Sequence, residues 1–113
     1  MRHLKKKKLG GGYDTSRRIL KSLCAALILH EKIVTTEKYA RFARSMTEKL
    51  ITKAKVNDLH NKRQLFAALP ENAARKAFEV LGPKYQARPG GYIRISKIGK
   101  SKDGTYKMQL QLL

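Results

Sequence analysis

Two segments near the C-terminus, YIRISKI (residues 92–98) and TYKMQLQL (residues 105–112), decide the fold. In the second segment the apolar side chains recur at every other position, which is the period of a β-strand. Lysine and glutamine fill the alternate positions, so one face is apolar and the other polar. The turn-forming residues Lys102-Asp103-Gly104 separate the two segments. We therefore predict an antiparallel hairpin at the end of the chain.

The chain before this hairpin has the spacing of helices instead. We predict a first helix over about residues 16–30, capped by Asp14, Thr15 or Ser16, and a second from Thr36 to about Lys55. A third begins after Asn57-Asp58. The fourth begins at Pro70 and is expected to end at Gly82-Pro83, with glycine in the left-handed position beyond the helix. The β-branched run of residues 33–36 favours a third strand.

These elements predict an α/β (α+β) fold of two layers in the order α-β-α-α-α-β-β. A small three-stranded sheet, mixed or antiparallel, would pack one face on the helices and leave a polar, basic face exposed. The length of 113 residues fits one domain. We divide the chain into a basic, flexible N-terminal arm (residues 1–13) and a single α/β domain (residues 14–113).

The charge of the chain indicates a polyanionic partner. There are 26 Lys+Arg against 8 Asp+Glu, which gives a net charge of +18. The first 22 residues carry eight basic groups and one acid, and removing their +7 still leaves +11 on the remaining 91 residues. Because the body is basic as well as the arm, the pattern is typical of a nucleic-acid-binding protein. We predict a nucleic-acid-binding function for residues 14–113.

The residue pattern argues against an enzyme and predicts no catalytic residue, metal site, cofactor or small-molecule substrate. Gly99-Lys100-Ser101 resembles the end of a phosphate-binding loop, but Arg94 replaces the required glycine and a turn follows instead of a helix. The three histidines are scattered singly. Cys24 lies in the apolar run of residues 23–29, where we expect a buried structural thiol. That run is too short to span a membrane, and no membrane partner is predicted.

Basic residues near the hairpin stand beside glycine or tyrosine, as in Arg88-Pro89-Gly90-Gly91-Tyr92. Arginine can bind a phosphate with two parallel hydrogen bonds, glycine lets backbone N–H groups approach it, and tyrosine can stack on an unpaired base. A plain turn before the strand explains Gly90-Gly91 equally well, and both roles stay open.

Taken together, several stretches resemble the family of bacterial-type ribosomal protein L17 of the large subunit. They follow the order of that family over nearly the whole chain: Met1-Arg2-His3 with the lysines and Leu9-Gly10, Ser22-Leu23, residues 30–36 (HEKIVTT), residues 48–55 (EKLITKAK), residues 81–85 (LGPKY) and residues 88–97 (RPGGYIRISK). Two features depart from the family pattern. Ser16-Arg17 stands where His-Arg is common, and the final hairpin is shorter than usual.

The resemblance implies a helix–strand–three helices–two strands fold and a non-catalytic, structural subunit of the large ribosomal subunit. The implied partners are 23S-type ribosomal RNA, near the site where the nascent chain leaves, and neighbouring large-subunit proteins. The implied location is the cytoplasmic ribosome, with an organellar ribosome left open. The predicted RNA-binding residues are Arg2, His3, Lys5, Lys6, Lys7, Lys8, Arg17, Arg18, Lys21, Lys38, Arg41, Arg88, Gly90, Gly91, Tyr92, Arg94 and Lys97.

The alternative hypothesis is an architectural or regulatory DNA-binding protein, because a basic helical body also suits duplex phosphates. Such a protein would need a helix aimed at the major groove or a two-fold dimer surface. No helix-turn-helix spacing is evident in the sequence.

Overall fold

The computed structural model describes residues 13–113, with side chains from Thr15 onward. The elements follow the predicted order: α1 (Tyr13–His30), β1 (Lys32–Thr36), α2 (Glu37–Ala54), α3 (Leu59–Ala68), α4 (Glu71–Lys76), β2 (Ile93–Lys100) and β3 (Tyr106–Leu112). After α4 the chain continues directly through a π-helical turn (Ala77–Leu81) and a final helical turn (Gly82–Lys84). The predicted α+β architecture is confirmed.

The three strands form one sheet in the order β1-β3-β2, and both pairs are antiparallel. The run of residues 33–36 therefore supplies the third strand, and of the two predicted arrangements the fully antiparallel one is correct. Ile33, Leu110 and Ile95 lie opposite one another in one row of the register. Because side chains alternate along a strand, the neighbouring row, Lys32, Gln111 and Arg94, lies on the other face of the sheet.

The apolar face of the sheet packs against the helices and closes the core. Leu110 at its centre is fully buried, and so are large side chains from α1, α2, α3 and the π-helical turn: Leu27, Ile28, Ile51, Leu65 and Leu81. Burying each such side chain stabilises the fold by about 1.5–3 kcal/mol. This core fixes the helices relative to one another and so places the cations on their outer faces.

Helix α1 begins earlier than predicted. Asp14, Thr15 and Ser16 lie inside its first turn and not before it, so the predicted N-cap is wrong. From Tyr13 onward no glycine or proline interrupts the segment, and the backbone stays helical. Cys24 is buried as expected, and its thiol donates to the carbonyl oxygen of Ala43 at 3.8 Å. Burial raises the pKa of this thiol, which keeps it protonated and unreactive.

Gly82 does not end a helix in the left-handed conformation, and that prediction is corrected. Its φ of −54° is helical, and its backbone N–H bonds to Ala77 O, five residues earlier. The π-helical turn thus carries the chain on as far as Lys84 despite Pro83. Glycine is needed here for space, because a Cβ would stand 2.5 Å from the carbonyl oxygen of Ala54 in α2.

Helix α3 starts as the sequence indicated. Asp58 is its N-cap, and the carboxylate accepts a hydrogen bond of 2.9 Å from the backbone N–H of His60. Such a cap stabilises a helix by about 1 kcal/mol.

Candidate nucleic-acid interface

A groove lies between α1, α2 and α3, and we call it the first groove. Its cationic lining consists of Arg17 and Lys21 from α1 and Lys53 from α2. Leu20, Met46, Gln64, Ala67 and Ala68 complete the walls. The Lys21 ammonium lies 3.4 Å from the carbonyl oxygen of Ala67, which holds it at the groove. Three cations along one concave surface create a positive potential that attracts polyanions.

A second groove lies on the other side of α2, where the segment before β2 crosses the helix. Lys49 and Lys53 provide its positive charge, and Pro89 and Gly90 form the facing wall. Ser45, Glu48, Thr52 and Tyr92 line the remainder. The Glu48 carboxylate accepts from Arg44 at 3.1 Å, so its charge is partly offset. Because Lys53 lines both grooves, the two join into one surface from α1 to Gly90.

Lys55 holds the segment that forms this facing wall. Its ammonium donates to the carbonyl oxygen of Arg88 and, at 2.9 Å, to the hydroxyl oxygen of Tyr92. The Tyr92 hydroxyl in turn donates to the same carbonyl at 3.3 Å. Gly91 has a φ of +67°, which favours glycine, so the turn role of Gly90-Gly91 is observed. The exposed Arg88 and Gly90 are therefore presented on a fixed backbone.

Tyr92 itself is fully buried, which argues against the predicted stacking of its ring on an unpaired base. Its ring packs at 5.0 Å from the ring of Tyr85 and has no exposed face on which a base could stack. Burial raises the pKa of the Tyr92 phenol, but the hydrogen bond from Lys55 and that with Thr52 outweigh it, and the net pKa is lowered. In this structure Tyr92 anchors the loop through its hydroxyl.

Only some of the other predicted RNA-binding residues line the two grooves. Arg17, Lys21 and Gly90 line the grooves. Lys38 and Arg41 lie near the start of α2 and line neither groove, and the Arg41 guanidinium pairs with Glu37 at 2.6 Å. The remaining predicted residues of the described chain are exposed: Arg18, Arg88, Gly91, Arg94 and Lys97. Arg2, His3 and Lys5–Lys8 lie outside the described residues.

Sequence reasoning missed Lys49 and Lys53 as site residues. They stand four positions apart on α2 and lie outside its buried face, as Lys38 and Arg41 do. Helical spacing alone could not show which part of α2 faces α1 and which faces the loop.

Residues 13–113 contain neither a grouped set of metal ligands nor a membrane-spanning helix. Among the side chains that the structure describes, no three of His, Cys, Asp or Glu are grouped so that they could hold a metal ion. No helix in this part of the chain is long and apolar enough to cross a membrane.

Comparison with known proteins identifies the family of this fold and surface. A family model described as Ribosomal protein L17 matches residues 19–113. This chain belongs to the ribosomal protein L17 family. The match runs from α1 to the end of β3, so both grooves lie within the family region except for Arg17.

Relatives in the L17 family match over almost their whole length. The protein named Large ribosomal subunit protein bL17 from Carboxydothermus hydrogenoformans is 46% identical over 108 residues, covering 94% of this chain and 96% of the relative. Its namesake from Clostridium botulinum strain Loch Maree is 41% identical over 109 residues, covering 95% and 96%. The resemblance seen in the sequence is thus confirmed.

Proposed function

We propose that this chain is a structural, non-catalytic constituent of the large ribosomal subunit in the cytoplasm and binds 23S-type ribosomal RNA there. Its L17 relatives are named as large-subunit proteins. The observation that carries the RNA-binding part is the continuous cationic surface of the two grooves, joined at Lys53. Neighbouring large-subunit proteins are the proposed protein partners.

The binding is mainly electrostatic. Each lysine or arginine that meets a phosphate displaces a condensed counterion, and the release of these ions drives association. The grooves present four cations, Arg17, Lys21, Lys49 and Lys53, on two sides of the ridge formed by α2. Such an arrangement suits two neighbouring stretches of RNA backbone, one in each groove.

The held loop supplies a second kind of contact. Lys55 and Tyr92 fix the backbone at Arg88, and Gly90 adds no side chain at the wall of the second groove. Arg88 can then bind phosphate with a planar guanidinium from a fixed position. Since the loop is already ordered, RNA binding loses less conformational entropy there. The arm of residues 1–13 is proposed to extend this surface.

Replacing Arg17, Lys21 and Lys53 together by alanine tests the proposal. We expect binding to large-subunit RNA to weaken roughly tenfold or more near physiological salt. The slope of log K against log salt should fall by about 2–3, because each lost phosphate contact contributes about 0.7–0.9. The measurement is a salt titration of affinity by filter binding or fluorescence anisotropy.

Arg75→Ala is the control for loss of a cation, since Arg75 pairs with Glu71 on α4 and lines neither groove. Its affinity and slope should stay close to those of the unmodified protein. An unchanged slope for the triple variant would contradict phosphate binding in the grooves. If the unmodified chain bound random duplex DNA as tightly as large-subunit RNA, the DNA-binding hypothesis would be favoured instead.

A further inference from the structure

The end of the β2–β3 hairpin carries an exposed aromatic ring surrounded by lysines. Tyr106 continues the row of Met108, Leu110 and Leu112, but it is 36% exposed whereas those three are buried. Its ring is thus on the inner face of the sheet, beyond the part that packs into the core. The ammonium of Lys97 lies 4.3 Å from the ring centroid, and that of Lys100 lies 4.9 Å from it.

A β-bulge brings these two lysines to the same ring. Residues three apart on a regular strand point to opposite faces. Here Lys97 pairs with Met108 while Lys100 pairs with Tyr106, because one extra residue is inserted between Lys97 and Gly99. Gly99 has a φ of +154°, which favours glycine over other residues. The bulge therefore places both ammonium groups on the face that carries Tyr106.

The charge around the ring suits an anionic ligand. Residues 97–107 contain four lysines and one acid, Asp103. The Asp103 carboxylate accepts from the Ser101 hydroxyl and, at 3.0 Å, from the backbone N–H of Thr105. It is therefore engaged in closing the turn, and the lysines dominate the field at Tyr106.

We propose that Tyr106, with Lys97 and Lys100, forms a binding site for an unpaired nucleotide of the RNA. The site rests on the proposed function and takes the base-stacking role that the buried Tyr92 does not fill. The base stacks on the Tyr106 ring while the lysines turn to the flanking phosphates. An exposed contact between an ammonium and a ring is weaker than base–aromatic stacking, so this exchange favours the bound state.

The same end of the molecule carries the start of α2. Thr36 pairs with Lys107 and directly precedes α2, which places Lys38 and Arg41 near this end of the sheet. These two predicted RNA-binding residues, remote from the grooves, thus belong to a second basic region with the hairpin. The path of a single strand across Tyr106 would continue toward them.

Two substitutions at Tyr106 test the stacking. Tyr106→Ala should weaken binding to 23S-type RNA roughly 5- to 150-fold, the range of one lost stacking interaction, with the salt slope unchanged. Tyr106→Phe should keep the affinity within about twofold, because the ring remains. Phe66→Ala is the matched control, since Phe66 is an aromatic residue of similar exposure, 38%, that lies on α3 and outside the hairpin. Lys97→Ala with Lys100→Ala should instead lower the slope by about 1.4–1.8.

A single-stranded oligoribonucleotide of about 12 nucleotides with a central 2-aminopurine gives a direct readout of base stacking. Its fluorescence should be quenched by the unmodified protein and not by Tyr106→Ala, and a duplex of equal length should show no quenching. Equal affinities of Tyr106→Ala and the unmodified protein, or a loss in Tyr106→Phe equal to that in Tyr106→Ala, would overturn the stacking site while RNA binding stands. Failure of the unmodified protein to bind 23S-type RNA at all would overturn the proposed function itself.

Discussion

Replacing Gly82 by alanine is expected to lower the free energy of unfolding by about 2–3 kcal/mol, although alanine is the better helix former by about 1 kcal/mol. The added Cβ would stand 2.5 Å from the carbonyl oxygen of Ala54 and 3.2 Å from its carbonyl carbon. Both are backbone atoms of α2, so no flexible side chain can turn aside. The turn that carries Gly82 and helix α2 would have to separate, and the core around Leu81 would loosen.

Urea unfolding followed by circular dichroism measures this effect. Gly90→Ala is the matched control, because a Cβ at Gly90 meets nothing within 4 Å. Its midpoint should stay within experimental error of the unmodified protein. If Gly82→Ala were as stable as Gly90→Ala, the close approach of the two backbones would be wrong.

Replacing Lys5–Lys8 together by alanine is expected to lower the slope of log K against log salt for RNA binding by up to about 3.6. Four consecutive ammonium groups can neutralise as many phosphates, and each one lost removes about 0.7–0.9 from the slope. The temperature of thermal unfolding of the free protein should not change, because the buried core of the described residues lies at and after Cys24.

Lys5–Lys8→Arg serves as the charge-preserving control and should retain the slope. A slope that is unaltered by the alanine variant would show that the lysines do not reach phosphates. A marked drop in the unfolding temperature would show that they contribute to the folded body.

Much of the architecture could be predicted because local rules and tertiary packing agree. The alternation in residues 105–112 indicated β3, and its row of Met108, Leu110 and Leu112 is buried as that pattern requires. The Asp58 cap and the strand of residues 33–36 also follow from local chemistry. In these segments each residue type strongly favours one kind of local structure, and the tertiary fold uses that structure.

The predictions that differ from the structure concern residue types that can have two different structural roles. Glycine before proline is the signature of a helix end, but at Gly82 it permits close packing inside a continuing helix. Tyrosine beside arginine suits base stacking, but Tyr92 is needed in the core. Only the tertiary contacts distinguish these alternatives.

Part of the candidate site could be predicted, because single residues can be selected from the sequence. Their arrangement in space depends on tertiary packing. The cations of α1 and the glycine loop could be selected from the sequence. Their connection through Lys53 depends on how α2 lies between them. The bulge that brings Lys97 and Lys100 to Tyr106 adds one residue to a strand, and alternation alone does not reveal it.

The most direct test of the central claim, that the grooves beside α2 bind ribosomal RNA, is ultraviolet crosslinking within intact large subunits followed by mass spectrometry of the linked peptides. Crosslinked nucleotides are predicted on peptides containing residues 17–21, 49–53 and 88–91, and not on α4. Crosslinks confined to α4, or a chain that is absent from large subunits, would contradict the account.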